Sequence, residues 1–228
     1  MDSVSSPFWT TMICQVALES DATLYSIYMA AALHAEMRSN STDSKALETC
    51  QTYLNMAIRE HHKDIAGMNA KNIEYICLTS SMLRVYGFAR LQNRSLEPYT
   101  PPSDFLRITG TSTVVFRQAW ELIKDNPESV AHKMIESAND FTQDSNSKEI
   151  PDNLQPLLNR EKPHELEEPW DTETEEAYIR AINLIGRLQQ ALDRENTGKS
   201  IGRRTAVFPM MMHRKFPDLV EELRPRAL

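Results

Sequence analysis

Gly198-Lys199-Ser200 carries the last three letters of a phosphate-binding loop, but the glycine such a loop needs five positions earlier is Asp193, and no strand precedes it. A helix end followed by a basic turn accounts for these residues. His164-Glu165-Leu166-Glu167-Glu168 has the opening of a zinc-protease helix, yet a glutamate stands where the second histidine belongs, and Pro163 and Pro169 flank it. His61 and His62 are adjacent, so on a helix they point about 100° apart and cannot chelate one ion together. They read as a solvated or capping pair near a helix end, either of which is placed to sense pH. Cys14, Cys50 and Cys77 are odd in number, widely spaced and without a C-x-x-C pair, so neither a disulfide framework nor a zinc site follows. No G-x-S-x-G elbow and no strand-borne G-x-G-x-x-G occurs. The expectation is no metal, no cofactor and no catalytic residue.

Apolar binding is the remaining chemistry. Phe116 and Trp120 stand one helical turn apart and present two rings to the same side. Phe208 precedes the run Met210-Met211-Met212, where flexible thioethers would shape themselves around a lipid-like molecule. Core packing is the plainer role for all of them. Phe116, Trp120, Phe208, Met210 and Met211 are therefore the candidates for lining a pocket. Arg203-Arg204 reads as solvated surface.

The elements that would carry these residues are helices. Six glycines, few β-branched alternations and repeated 3.6-residue apolar spacing predict an all-α chain, a multi-helix array around central apolar helices. Ser6 and Pro7 start a helix through Leu18, and Asp21 caps a second that reaches Arg38. This second helix is apolar around most of its girth, with Leu24, Tyr25, Ile27, Tyr28, Met29 and Leu33, which marks it as central. A third covers Lys45 to Ile65. Asn69 caps a fourth, whose Ile73, Ile76, Cys77, Leu78, Leu83, Val85 and Tyr86 read as buried on several sides and whose end Gly87 weakens. After the proline-rich connector 96–102, Ser103 or Asp104 caps a helix interrupted and kinked near Gly110. Asn126-Pro127-Glu128 starts another, reaching about Phe141. Residues 143–169, acidic and holding Pro151, Pro156, Pro163 and Pro169, form a flexible surface loop with a short turn at 154–158. A capping box at Thr172-x-x-Glu175 opens an amphipathic helix carrying Tyr178, Ala181, Ile182, Ile185, Leu188 and Leu192. A short helix covers Pro217 to Leu223.

At 228 residues and 41% apolar, the chain can bury a core, and we expect one domain over 1–228. The net charge of −7 is uneven, with thirteen acids against three bases over 136–176 and nine bases against five acids over 187–226. Nucleic-acid binding is not the global reading. The longest uncharged run, Ala22 to Leu33, is shorter than the roughly 20 residues a membrane span needs. A soluble protein of a reducing compartment, nucleus or cytoplasm, is expected. The matches to glycosylation acceptors at Asn40 and Asn93 then arise by chance.

From Phe8 to Met37, a polar punctuation at Glu19-Ser20-Asp21 separates two apolar stretches, and the second contains Met29-Ala30-Ala31-Ala32-Leu33-His34. This resembles the regulatory region of fungal zinc-cluster transcription factors, in the branch typified by sterol uptake control proteins. Further landmarks follow in the family's order: Tyr53 with Ala57 and His61-His62, then Asn72, then Phe105-Leu106 with Gly110, then Phe208-Pro209-Met210 and Phe216. The resemblance implies an all-helical effector domain that binds a hydrophobic small molecule, sterol-like in relatives, and controls RNA polymerase II transcription. It further implies a homodimer or a transcriptional co-regulator as partner.

The family's six-cysteine zinc cluster has no counterpart here, so direct DNA binding by this chain is not expected. Arg224-Pro225-Arg226-Ala227-Leu228 is similar to the point where such domains continue into an apolar helix, so that helix is expected to be missing. Two alternatives stay open. One is a stand-alone small-molecule binder or secondary-metabolism enzyme on the same fold. The other is a helical dimerisation or interaction module.

Overall fold

The computed structural model describes residues 13–39, 43–92, 94–95, 97–143, 150, 152–159, 169–193 and 211–222. Among these residues every regular element is a helix and none is a strand, so the protein is all-α. The helices are α1 (Ile13–Ala17), α2 (Asp21–Arg38), α3 (Ser44–Ala66), α4 (Ile73–Gln92), α5 (Ser103–Ile123), α6 (Val130–Gln143), α7 (Thr172–Asp193) and α8 (Phe216–Glu221), with a 3-10 turn at Gln155–Leu158. The start expected at Ser6 lies outside the described residues. The chain divides into two compact units, one of residues 1–90 and 112–136, the other of 91–111 and 137–228.

The helix starts are set by side chains that satisfy the free N–H groups of the first turn, and several caps fall at neighbours of the residues expected. Ser20, not Asp21, caps α2, its Oγ accepting from the Thr23 N–H at 3.3 Å. Asp171, not Thr172, caps α7, its Oδ1 accepting from the Thr174 N–H at 2.7 Å. Asn69 and Asn126 each lie three residues ahead of the true cap. Their carbonyls accept from the N–H of Asn72 (3.2 Å) and Ser129 (3.1 Å), forming a turn that delivers those two residues to the cap position. Asn72 Oδ1 accepts in return from the Asn69 N–H at 2.8 Å, and Ser129 Oγ accepts from His132 N–H at 3.3 Å. An asparagine therefore opens both turns, and the helix begins one turn later than the sequence suggests.

In the first unit, α2 and α3 run antiparallel, since Tyr25 meets Tyr53 while Met29, a turn further along, accepts at its carbonyl from Cys50 Sγ. α2 and α4 run parallel, joined by Thr23 with Thr79 near one end and Glu36 with Arg90 near the other. The face that α2 buries mixes small and polar side chains, Ala22, Thr23, Ser26 and Glu36, with the larger apolar Met29 and Leu33. Its larger side chains Leu24, Tyr25, Ile27 and Tyr28 stay part-exposed, contrary to a central helix apolar around its girth. Small side chains let the backbones approach, and the hydroxyls then bond across the contact.

α4 is the central helix of this unit. Ile76, Cys77, Leu78, Thr79 and Ser80 are consecutive and at most 1% exposed, so every side of the helix is covered over that turn. Val85 is exposed, against expectation, and the helix passes through Gly87, itself buried, to Gln92. α5 likewise runs unbroken through Gly110, correcting the expected interruption. The threonines on either side donate their hydroxyls to carbonyls one turn back in the same helix, Thr109 to Phe105 and Thr111 to Arg107.

The second unit has its core where α7 meets α8. Tyr178 is 2% exposed, stacked on Trp170 at 5.4 Å and edge-on to Phe216 at 6.3 Å, with Ala177, Leu219 and Leu158 around it. Lys215 Nζ bonds both oxygens of Asp171 at 2.8 Å, and Arg107 bonds both oxygens of Glu221. On α7 the buried stripe is Thr174, Ala177, Tyr178, Ala181, Ile182 and Leu184. Ile185 and Leu192, expected on it, are exposed.

Candidate functional site

The side chains of α4 divide its circumference among four neighbours, because successive residues turn by about 100°. Thr79 and Arg90, nearly in line, face α2. Ser80, about 100° round, faces α3, where its Oγ lies 2.9 Å from His61 Nε2. Glu74, Cys77 and Arg84 share the remaining side, toward α5 and α6. There Glu74 Oε1 accepts from the Val130 N–H at 3.1 Å and closes the start of α6. The Arg84 guanidinium carbon lies 5.2 Å from the centroid of the Phe116 ring.

One turn along α5, on the same face, the Trp120 ring stands 5.0 Å from the His132 ring at 34°. Phe116 and His132 are each 7% exposed, whereas Arg84 and Trp120 remain partly exposed. Phe116 with the Arg84 guanidinium and Trp120 with the His132 imidazole thus form two contacts one turn apart on α5. His132 Nδ1 is buried without a hydrogen-bond partner. The nearest carboxylate oxygen, Glu136 Oε2, is 3.7 Å away, beyond hydrogen-bond reach. Of the two rings, Trp120 alone keeps exposed surface, with the His132 imidazole at its side.

Burial sets the electrostatics of the interior. It pushes the Arg84 guanidinium down to about 10, and it pushes the Cys77 thiol up to about 12, assisted by the charge on Glu74. A thiol so raised is not a nucleophile at neutral pH. His61 is 5% exposed, and burial, then the neighbouring His62, lowers it to about 4. The expected solvated pair is therefore split: His61 is a neutral core residue and His62 is exposed. At the other end of α4, Arg90 Nη1 bonds Glu36 Oε1 at 2.7 Å, the Glu36 side chain being 3% exposed. Burial, reinforced by Glu36, raises the Cys50 thiol. Among the described residues no three metal-ligating side chains converge.

Of the five residues proposed from sequence to line a pocket, Phe116 and Trp120 are brought together in the first unit. Met211 belongs to the second, half-buried, its carbonyl accepting from Arg180 Nε. Phe208 and Met210 lie outside the described residues, as do Gly198-Lys199-Ser200, Arg203-Arg204 and His164 to Glu168. Sequence reasoning missed Arg84 and His132. For Arg84 a signal existed: it is the only charge between Ile76 and Ala89, in a helix read as buried on several sides. For His132 there was none, since nothing local marks its contact with Trp120.

The chain is similar to the Zn(2)-C6 fungal-type transcription factor afumD of Aspergillus fumigatus (strain CBS 144.89 / FGSC A1163 / CEA10), with 27% identity over 220 residues. The similarity covers 96% of this chain and 57% of that protein, so the chain spans little more than half the length of its relative. No family model matches the chain, and no solved structure matches it. Among the described residues no helix is long and apolar enough to cross a membrane.

Proposed function

We propose that this chain is the regulatory domain of a fungal transcription factor, acting in the nucleus and answering to a hydrophobic small molecule. The observation that carries the reading is the similarity to a Zn(2)-C6 transcription factor along 96% of the chain. That relative is a transcription factor and not an enzyme, in keeping with a role without catalysis. Binding of the effector shifts the balance between repressed and active conformations or assemblies, by as much as its affinities for the two differ. The Phe116 and Trp120 rings are the favoured contact for its apolar body, and the 228 residues act together as one regulatory domain. Sterol-like effectors, expected from the family resemblance, are the first class to try. With three cysteines, the chain does not carry the six-cysteine cluster of that family, so DNA contact falls to another module.

One observation favours an additional role as an interaction module. Tyr53 on α3 stacks with Tyr25 at 6.3 Å and packs against Tyr28 at 5.1 Å, and Tyr28 is 44% exposed. A homodimer or a co-regulator would find an aromatic surface there.

Native mass spectrometry of the chain purified from a fungal host tests the sensing reading. A co-purified apolar molecule, released by organic extraction, is the expected result. A ligand-free protein that binds neither sterols, fatty alcohols nor fatty acids on titration contradicts it.

A further inference from the structure

We propose that Thr100 is a phosphorylation site read by a proline-directed protein kinase, and that Arg94 pairs with the phosphate once it is in place. The inference does not depend on the small-molecule reading. Its first support is the connector between α4 and α5. Thr100 is followed by Pro101 and Pro102, and a residue ahead of a proline is kept out of the helical region, in the extended form a kinase cleft accepts. Proline also brings no N–H, so a kinase subsite that offers no acceptor there takes it without loss. Residues 97–100 are all exposed and 99–102 belong to no helix, which leaves the Thr100 hydroxyl open to an enzyme. Ser95 is exposed as well, but its hydroxyl closes a turn by donating to the Glu97 carbonyl at 2.7 Å.

The second support is the geometry at the hydroxyl. Arg94 Nη2 donates to Thr100 Oγ1 at 2.9 Å, and the same guanidinium lies 5.4 Å from the centroid of the Tyr99 ring. That bond uses one lone pair of Oγ1 and leaves the hydroxyl its proton. In the transfer, Oγ1 forms a bond to the γ-phosphorus of a nucleoside triphosphate and the bond from that phosphorus to the bridging oxygen breaks. The nucleoside diphosphate leaves, and the hydroxyl proton passes to the base of the kinase. The guanidinium already aimed at Oγ1 then faces a phosphate, so a bond to a neutral hydroxyl becomes an ion pair with a fork of N–H donors. Glu97 and Asp104, the acids nearest in sequence, are exposed, and water screens their charge.

The test incubates the 228-residue chain with an active mitogen-activated protein kinase and magnesium ATP, and maps the phosphopeptides by mass spectrometry. Ser6, ahead of Pro7, is the other hydroxyl followed by a proline and serves as the comparison. Phosphate should enter at Thr100, and Pro101→Ala should slow its entry about tenfold or more. Phosphorus NMR of the product then reads the partner. The phosphate should lose its second proton at a pH about 0.5 lower in the parent than in phosphorylated Arg94→Gln, because the guanidinium favours the dianion. Mapping on the parent decides the site even if a variant does not fold. No phosphate at Thr100, or entry there equally fast in Pro101→Ala, overturns the assignment of a proline-directed site. Phosphorylation as expected with the same titration in both proteins overturns the role of Arg94.

Discussion

Thr23 and Thr79 meet hydroxyl to hydroxyl at 3.0 Å where α2 crosses α4, and both are fully buried. Thr23 Oγ1 also lies 3.5 Å from the Tyr75 carbonyl, so the pair is tied into the backbone of α4. Two helices that a reader of apolar patterns would join by large side chains are joined here by small polar ones.

Replacing Thr23 with the isosteric valine takes from the Thr79 hydroxyl its partner on α2, whereas Thr79→Val leaves Thr23 its contact with the Tyr75 carbonyl. Thr23→Val should therefore destabilise by about 1–2 kcal/mol, and Thr79→Val by less. The double variant should cost clearly less than the sum, because no hydroxyl is left without its partner. Chemical denaturation of the four proteins closes the cycle. Strict additivity would mean that the two hydroxyls do not depend on one another.

Gly110 sits inside α5, and a methyl group built on it meets nothing within 4 Å. Gly110→Ala should raise stability by about 0.5–1 kcal/mol, since alanine loses less backbone freedom in forming a helix and there is no clash to offset the gain. Thermal denaturation followed at 222 nm reads this directly. A lower melting temperature would show that the helix needs the glycine for a bend.

His61 makes stability depend on pH. Its ordinary pKa is 6.5 and burial lowers it to about 4, so the unfolded chain takes up a proton first as pH falls. Stability contributed by the neutral ring is whole above about 6.5, declines as pH drops toward 4, and has no further to fall below that. The loss is about 3 kcal/mol. His61→Gln should be less stable than the parent at pH 7 and should show a flatter decline between pH 6.5 and 4. Parallel declines in the two proteins would place the titration elsewhere.

The helical character was legible because apolar periodicity and cap residues agree along most of the chain, and the central position of α4 followed from its unbroken apolar run. Helix starts slipped where a turn and a cap use the same residue types, as at Asn69 ahead of Asn72 and Asn126 ahead of Ser129. The role of α2 was misjudged for another reason. Hydropathy points to Tyr25 and Tyr28, whereas the close approach of α4 selects Thr23 and Ser26. Phe116 and Trp120 could be singled out by their spacing on one helix. Arg84 and His132, which complete their surroundings, come from other helices, and no spacing in the chain connects them.

The claim that this is a transcriptional regulatory domain is tested most directly by tethering. The 228-residue chain would be fused to an unrelated DNA-binding module in a fungal host, and transcription measured from a reporter carrying that module's site, with and without a lipid extract of the host. The expected result is reporter output that differs from the module alone and changes at least severalfold with the extract. Output identical to the module alone under both conditions, from a fusion shown to be folded and nuclear, would contradict the account.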